Sequence, residues 1–552
     1  MQQFGIRYTL QSFHGEGSPL VLTVQAGPSP TAVGQSPKAC RALHPVENLT
    51  LQSDGLSCEV LLQPDEYGPE DWPARAAATV SGVRWSAGDG RTGLTSVEPV
   101  APPSGSILLT LPQLMSTERK DFRELRLLGD VERQTWEAVT FHQHLQGVVP
   151  AEILQSEADE RRFRMDLRVC YPGWAPENIP PRELEISLEC EIIGDRVLGR
   201  WRADGLETNT TGPVWGKLLP QLFALDMGPD PGILLQARSV ERIPDRAAEP
   251  GSVEAQTLAR LTRAAEEYLS HRPQPVQCFD DDTHHSQPGH ARNLKQSAEA
   301  AYGLSLLALA GDDFEAGMQA AETIDAWSAT LKRIDTTNPN KSAYLYTSYL
   351  WPAIIWAGDY LRQADIPYEE AALASVLRRT VLPVVKPTLY RNNWTCWAIC
   401  CHATIARFLL DGREFAVALQ RWREMMPEYI AVDGKTKETL RDLWHTQMGL
   451  APLACTAEMA WTCGIDLYSA CDNRLLTAAE LHATWALGDL SDWPYRQEAR
   501  AVGKVWPYYE LLKNHFGRRM GLPTPRIDRV LEATRPEGFD RMGWFGITHG
   551  SG

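Results

Sequence analysis

The chain has no apolar run approaching the roughly 18 residues that a membrane-crossing helix needs, so no span is expected. Its opening residues, MQQFGIRYTLQSF, lack a basic stretch followed by an apolar one. No signal peptide is therefore expected, and the expected location is cytoplasmic or virion-associated. There is no glycine-rich phosphate loop with its lysine, no nucleophile elbow and no His-Glu-x-x-His, so nucleotide and zinc-protease readings lack support. Positive charge is short too: 54 Lys and Arg stand against 70 Asp and Glu, a net charge of −16. That balance argues against nucleic acid and anionic membrane as main partners, though a local cationic cluster can still hold an acidic ligand. The 11 cysteines are an odd number without metal-type pairing, which argues against a disulfide framework. Adjacent Cys400 and Cys401 read as small apolar fillers of a helix face.

What is present suits a large globular chain. Its 552 residues exceed one compact core and predict two or three domains. The 43% hydrophobic and 22% charged content is ordinary, while 18 tryptophans are many. Trp covers apolar sugar faces, but it also fills helical cores. The first part reads as short strands separated by Pro, Gly and Ser clusters: FGIRYTLQSF, PLVLTVQAG, LSCEVLLQP, then RRFRMDLRVCY and RELEISLECEIIG. In the last, Leu184, Ile186, Leu188 and Cys190 share one face, as in a half-buried antiparallel strand. Residues 1–115 and 116–240 are expected as two β-sandwich-like units or one composite. From about 241 to 552 the period becomes helical, with Gly or Gly-Asp after several segments as C-cap signals. Successive helices joined by short loops, without a fixed repeat, predict an α/α toroid with its site where inner helices converge.

The stretch KETLRDLWHTQMGL sets Glu438, Arg441 and His445 at offsets of three and four, so it predicts one helix face bearing all three. Each has a plain alternative. Glu438, Arg441 and Asp442 suit an intrahelical ion-pair network, His445 a satisfied core histidine, and Asn393 a helix N-cap before TCWAICCHATIARFLL. CFDDDTHHSQPGH gathers Asp280, Asp281, Asp282, His284, His285 and His290, which reads as a solvated acidic loop more than as a metal site. Should it overhang the cleft, His284 or His285 would touch substrate. TTNPNKSAY offers Asn338, Asn340 and Lys341 for sugar hydroxyls or a carboxylate, with a surface turn as the default.

KETLRDLWHTQMGLAPL, followed by AEMAWTCGIDLYSACDNRLLTAAELHATWALGD, resembles the alginate lyase superfamily of polysaccharide lyases. RNNWTCWAIC is similar to its upstream Asn-Trp motif, DAWSATL to its Ala-Trp-Ser helix and RPEGFDRMGWFG to its closing segment. The resemblance covers roughly residues 255–552. It implies an α/α toroid that cuts uronate polymers by β-elimination, without a cofactor. By that resemblance Asn393, or its neighbour Asn392, neutralises the substrate carboxylate, Arg441 clamps it, His445 is the base and Glu438 holds Arg441 or His445. Two departures stand out: Trp394 occupies a place where some members have His, and Met448 one where they have Tyr. The acid must then come from KSAYLYTSYLW, with Tyr349 or Tyr346 expected, while Trp394, Lys341 and His285 are expected to contact substrate. The expected partner is an acidic polysaccharide or oligosaccharide, with homo-oligomeric or virion assembly left open. A phage- or virion-associated depolymerase fits, as does a cytoplasmic enzyme. The rivals are a carbohydrate-binding or virion structural protein that keeps the toroid without its chemistry, and a toroid glycoside hydrolase with two carboxylates across the cleft.

Overall fold

The computed structural model describes the strands between Ile6 and Pro220 and most of residues 225–550; the strand-connecting loops and 281–288, 336–342, 387–391, 494–498 and 536–542 are among those outside the described residues. The chain divides into two compact units between Leu222 and Phe223.

In the first unit, eight strands between Ile6 and Pro99 pair antiparallel in chain order, and the first closes on the eighth. Nine strands between Pro103 and Pro220 form one antiparallel sheet. The described strands thus form a ring and an open sheet in place of two sandwich-like units. The division expected near residue 115 falls between Pro103–Pro112 and Phe122–Asp130, neighbours in that single sheet. Alternation in Arg182–Ile193 runs as expected: Leu184, Ile186, Leu188 and Cys190 are buried, while Glu183, Glu185 and Glu189 face water. On that wet face Arg168 on the neighbouring strand meets Glu185 at 2.9 Å, an opposite-charge pair across the ladder.

The second unit is helical. Its elements are α1 Ala237–Val240, α2 Ile243–Ala248, α3 Val253–Ser270, α4 His290–Gly311, α5 Phe314–Thr330, α6 Ala343–Gln363, α7 Glu370–Val376 and α8 Leu382–Val385. They continue with α9 Asn393–Phe408, α10 Gly412–Tyr429, α11 Leu443–Thr462, α12 Ala470–Leu487, α13 Tyr509–Leu512, α14 Pro525–Thr534 and α15 Phe545–His549. Side chains of Ser252, Asp313, Asn392, Asp411 and Asp442 accept backbone N–H groups at helix starts, which satisfies donors the helix itself cannot. The expected Gly and Gly-Asp stop signals divide in role. Asp312, not Gly311, takes the left-handed cap of α4. Asp411 caps the start of α10, and Gly412 follows it because a Cβ there would lie 2.1 Å from the Leu225 carbonyl oxygen.

Long stretches of α4, α6, α9 and α11 are buried on every side: 300–310, 347–361, 395–408 and 446–460. A helix apolar all round must sit inside, whereas α5, α10 and α14 keep a charged face. Accordingly α4 packs on α5 and α6, α6 on α9, and α9 on α10 and α11. Each inner helix is followed by an outer one running back, so the inner helices are parallel and their N-termini share one mouth. This alternation is that of an α/α toroid.

The other mouth is filled by the entering chain. Met227, Ile233, Leu234 and Leu235 are buried there. Asp359, near the end of α6, accepts the Ile233 backbone N–H at 3.0 Å, Arg362 at 2.7 Å and Gln363 at 2.7 Å. Arg407, at the end of α9, donates to the carbonyls of Met227, at 3.2 Å, and Gly232. Thr462, at the end of α11, donates to that of Ile233 at 3.3 Å. Leu225, Met227 and residues 232–235, expected in the β-rich half, therefore belong to the helical unit. At the chain's far end, buried Glu458 of α11 takes a bidentate Arg519 at 2.7 and 3.0 Å, with His549 at 3.5 Å. Burial opposes its charge, but His549 and Arg519 outweigh that and hold the carboxyl at about 2.

Asp359→Ala removes the acceptor for three donors and takes from Arg362 its shortest carboxylate contact, with the Glu370 contact at 3.4 Å remaining. We expect a loss of about 3–5 kcal/mol, the usual cost of breaking a buried ion pair, read as a lower midpoint in denaturant titration. A midpoint within error of the parent chain would contradict this account of the closed mouth.

Candidate functional site

The N-terminal mouth gathers the first turns of α4, α6, α9 and α11. In α11 the helix does not begin where the residue spacing suggested. Residues 437–441 form a turn, Asp442 is extended, and α11 starts at Leu443. Glu438, Arg441 and His445 therefore do not lie along one helix face. The reason is local: Thr436 N–H donates to Thr439 Oγ1 at 2.8 Å and Glu438 N–H to Thr436 Oγ1 at 3.2 Å, so side-chain hydroxyls compete for the backbone groups a helix would need.

Asp442 then organises the start of α11. Its Oδ1 accepts the His445 backbone N–H at 2.7 Å, and its two oxygens stand 2.8 and 2.7 Å from His445 Nδ1. With Nδ1 engaged by the carboxylate, Nε2 is the nitrogen left for proton transfer. His445 is partly exposed, its side chain 27% accessible. Arg441 is more open, at 50%, and reaches Glu438 at only 3.4 Å, while Glu438 is 7% accessible. The turn thus presents an accessible guanidinium whose carboxylate partner is sunk behind it. Burial, and after it the nearby Glu438 carboxylate, pushes the Cys396 thiol in the first turn of α9 up.

Asn392, not Asn393, is the N-cap of α9, its Oδ1 accepting the Trp394 N–H at 3.0 Å. Asn393 lies one residue inside, fully buried, and both polar atoms of its amide have no hydrogen-bond partner among the described residues. An amide left so is costly, about 1–3 kcal/mol, and invites a functional explanation. Trp394 is half-buried and stacks with Tyr344 across α6 at 6.5 Å. Tyr349 is 2% exposed and meets Trp397 edge-on at 4.8 Å, which is core packing. Tyr346, one turn nearer the mouth, is half-exposed. Met448 is buried, so that position supplies packing. Lys341, Asn338, Asn340, Asp281, Asp282, His284 and His285 lie outside the described residues. Asp280 and His290 are described and pair at 2.7 Å. No group able to hold a metal occurs among the described residues.

Cys400 and Cys401 are the buried fillers expected, and burial pushes the Cys400 thiol up to about 12.

Several positioning groups carried no readable signal. Gln447 donates to the Lys504 carbonyl at 2.7 Å and accepts the Trp506 N–H at 2.9 Å, clasping that segment to α11. Tyr429 of α10 donates to the His445 carbonyl at 3.3 Å; Gly449 makes room, since a Cβ there would lie 2.0 Å from the phenol oxygen. His482 of α12, fully buried, has Nδ1 at 2.8 Å from the Ala478 carbonyl, which fixes Nδ1 as the protonated nitrogen. Its bare Nε2 then accepts the Thr439 hydroxyl at 2.9 Å and secures the turn that carries Glu438 and Arg441.

Residues 249–493 match the alginate lyase family model. A search of curated proteins finds no match. Among solved structures, an alginate lyase from Bacteroides ovatus is 15% identical with a TM-score of 0.42, over 54% of this chain and 98% of that one. A variant of alginate lyase A1-III in its apo form is 16% identical with a TM-score of 0.46, over 58% and 96%. Another A1-III variant, complexed with tetrasaccharide, is 17% identical with a TM-score of 0.45, over 58% and 96%.

Burial lowers the pKa of His402, His482 and His515 from the usual 6.5 to about 4. Below pH 6.5 the unfolded chain takes up protons that the folded chain refuses until about pH 4. Stability is therefore lost as pH falls through that window. The melting temperature should drop between pH 6.5 and 4, and His482→Gln should flatten the slope. Parallel profiles for the parent chain and the variant would refute the neutral, buried assignment of His482.

Proposed function

Taking residues 249–493 as a segment of the alginate lyase superfamily, we propose that the chain is a polysaccharide lyase that cleaves a uronate-containing polymer by β-elimination. The observation that carries this is the Asp442–His445 pair at the toroid mouth, an imidazole held by a carboxylate at 2.7 Å and partly open to solvent.

The chemistry asks three things of the site. The C5 carboxylate of the uronate must lose its charge so that the C5 proton becomes acidic; a base must take that proton; and O4 must leave protonated. Arg441, permanently charged and accessible, serves the first; the Asn393 amide, enclosed but without a partner among the described residues, joins it as an uncharged donor only once the ligand uncovers it. Nε2 of His445 takes the C5 proton, and Asp442 stabilises the imidazolium that forms. The C4–O4 bond breaks as the C4–C5 double bond forms, and Tyr346 supplies the proton to O4. Its half-exposed place at the start of α6 favours it over the enclosed Tyr349. Glu438, Asn392 and Trp394 line the same mouth, Glu438 holding Arg441 and Asn392 setting the start of α9. No step requires a cofactor.

A hydrolase would need two carboxylates across the cleft, one of them free to act as acid. The described carboxylates at this mouth are instead engaged: Asp442 with His445, Glu438 with Arg441 and Asp280 with His290. That disfavours hydrolysis.

Incubation with a panel of uronate polysaccharides, following ultraviolet absorbance of the unsaturated sugar together with reducing ends, tests the proposal. Both signals should rise. Reducing ends alone would mean hydrolysis, and binding without either signal would mean a carbohydrate-binding protein. His445→Ala should lower kcat by about 100-fold to 10,000-fold, the usual share of a general base, with circular dichroism unchanged. Full activity in that variant would remove His445 from the mechanism.

A further inference from the structure

Beside the mouth lies a cavity of about 650 Å³, within the range of about 300–1,000 Å³ typical of small-molecule sites. Its wall includes Trp444, Lys504, Trp506, Glu510, Thr534 and Arg535. Trp444 comes from the first turn of α11, directly before His445. Most of the remaining wall comes from residues 503–546, beyond the 249–493 segment that matches the family model. The cavity is thus built largely by the part of this helical unit that the family pattern does not describe.

Its electrostatics are one-sided. Arg535 and Glu510 make two bonds of 2.6 Å and cancel each other. Lys504 has no carboxylate partner among the described residues, and its ammonium lies 5.7 Å from the Trp444 ring. Two cations and one anion leave the wall at +1, in a chain whose net charge is −16. A cavity of that sign selects an anion. Its aromatic lining suits the apolar face of a sugar ring: Trp444 is half-buried and braced edge-on by Trp506 at 5.1 Å. A ligand bearing both a ring face and a carboxylate fits these two features together.

We propose that this cavity binds a second acidic sugar residue of the same polymer, adjoining the one that is cleaved, with Lys504 pairing its carboxylate and Trp444 covering its ring. The proposal rests on the elimination reading above for the identity of the polymer, and it makes Lys504 a determinant of chain-length preference. The Lys504 side chain can be changed safely, because it is the backbone carbonyl that bonds Gln447.

The test uses the full chain and hexasaccharides from alginate, polyglucuronate and hyaluronan, with a neutral β-mannan hexasaccharide as control. Binding is followed by calorimetry and by quenching of tryptophan fluorescence. At least one acidic hexasaccharide should bind in preference to the neutral one. Lys504→Met should weaken it at least tenfold and raise KM with kcat unchanged, while Lys504→Arg restores most of the loss. Failure of every acidic probe to outbind the neutral one, or unchanged affinity in a folded Lys504→Met chain, overturns the proposal. The two readings separate cleanly. Lys504-dependent binding without unsaturated product removes the elimination reading and keeps the subsite; elimination with unaltered Kd and KM in Lys504→Met removes the subsite and keeps elimination.

Discussion

The carboxylate of Asp442 accepts the His445 backbone N–H at 2.7 Å while its oxygens hold the imidazole Nδ1 at 2.7 and 2.8 Å. One side chain thereby ends the turn that carries Arg441, starts α11 and orients the ring beside it. Capping usually needs only an acceptor, and orienting a histidine usually needs a separate one. Joining the two means that the ring cannot swing without loosening the helix start. The neighbourhood reinforces this: Tyr429 reaches the His445 carbonyl from α10, Gln447 clasps 504–506, and His482 holds Thr439 from α12. The turn and the start of α11 are thus held by three neighbouring segments, as a preorganised site requires.

The architecture explains why those groups meet. Inner helices separated by returning outer helices must run parallel, so their starts converge at one mouth whatever the loop lengths. Their starts are also where free backbone N–H groups and the positive end of the helix dipole lie, which suits an acidic ligand in an otherwise acidic chain. The opposite mouth, where unpaired carbonyls gather, is filled by Met227, Ile233, Leu234 and Leu235 and held by Arg407 and Thr462 acting as donors. The two ends of the toroid are chemically unlike before any side chain is considered.

Parts of this were legible in the residues alone. The inner helices announce themselves because α6, α9 and α11 are apolar around their whole circumference, and Leu184, Ile186, Leu188 and Cys190 alternate as a half-wet strand must. The start of α11 was not legible. Offsets of three and four look alike in a helix and in a turn followed by a cap, and only the threonine hydroxyls of residues 436 and 439 decide between them. Asn392 and Asn393 are equivalent on paper; the cap goes to Asn392, whose side chain reaches the Trp394 N–H. Leu225, Met227 and residues 232–235 have no periodicity to show that they belong with helices far ahead in the chain. His482 and Gln447 act through contacts across 43 and 57 or more residues, which local pattern cannot reveal.

The filled mouth bears on how this protein can be divided. A fragment beginning at residue 241, where helical periodicity first becomes evident, would keep every helix from α2 onward and omit Ile233, Leu234 and Leu235. Asp359 and Arg407 would then face a hollow lined by apolar side chains, with buried charge and backbone partners gone. An excised helical unit that behaves like the parent must retain the chain from Leu225, so the span that joins the two halves is also the floor of the second.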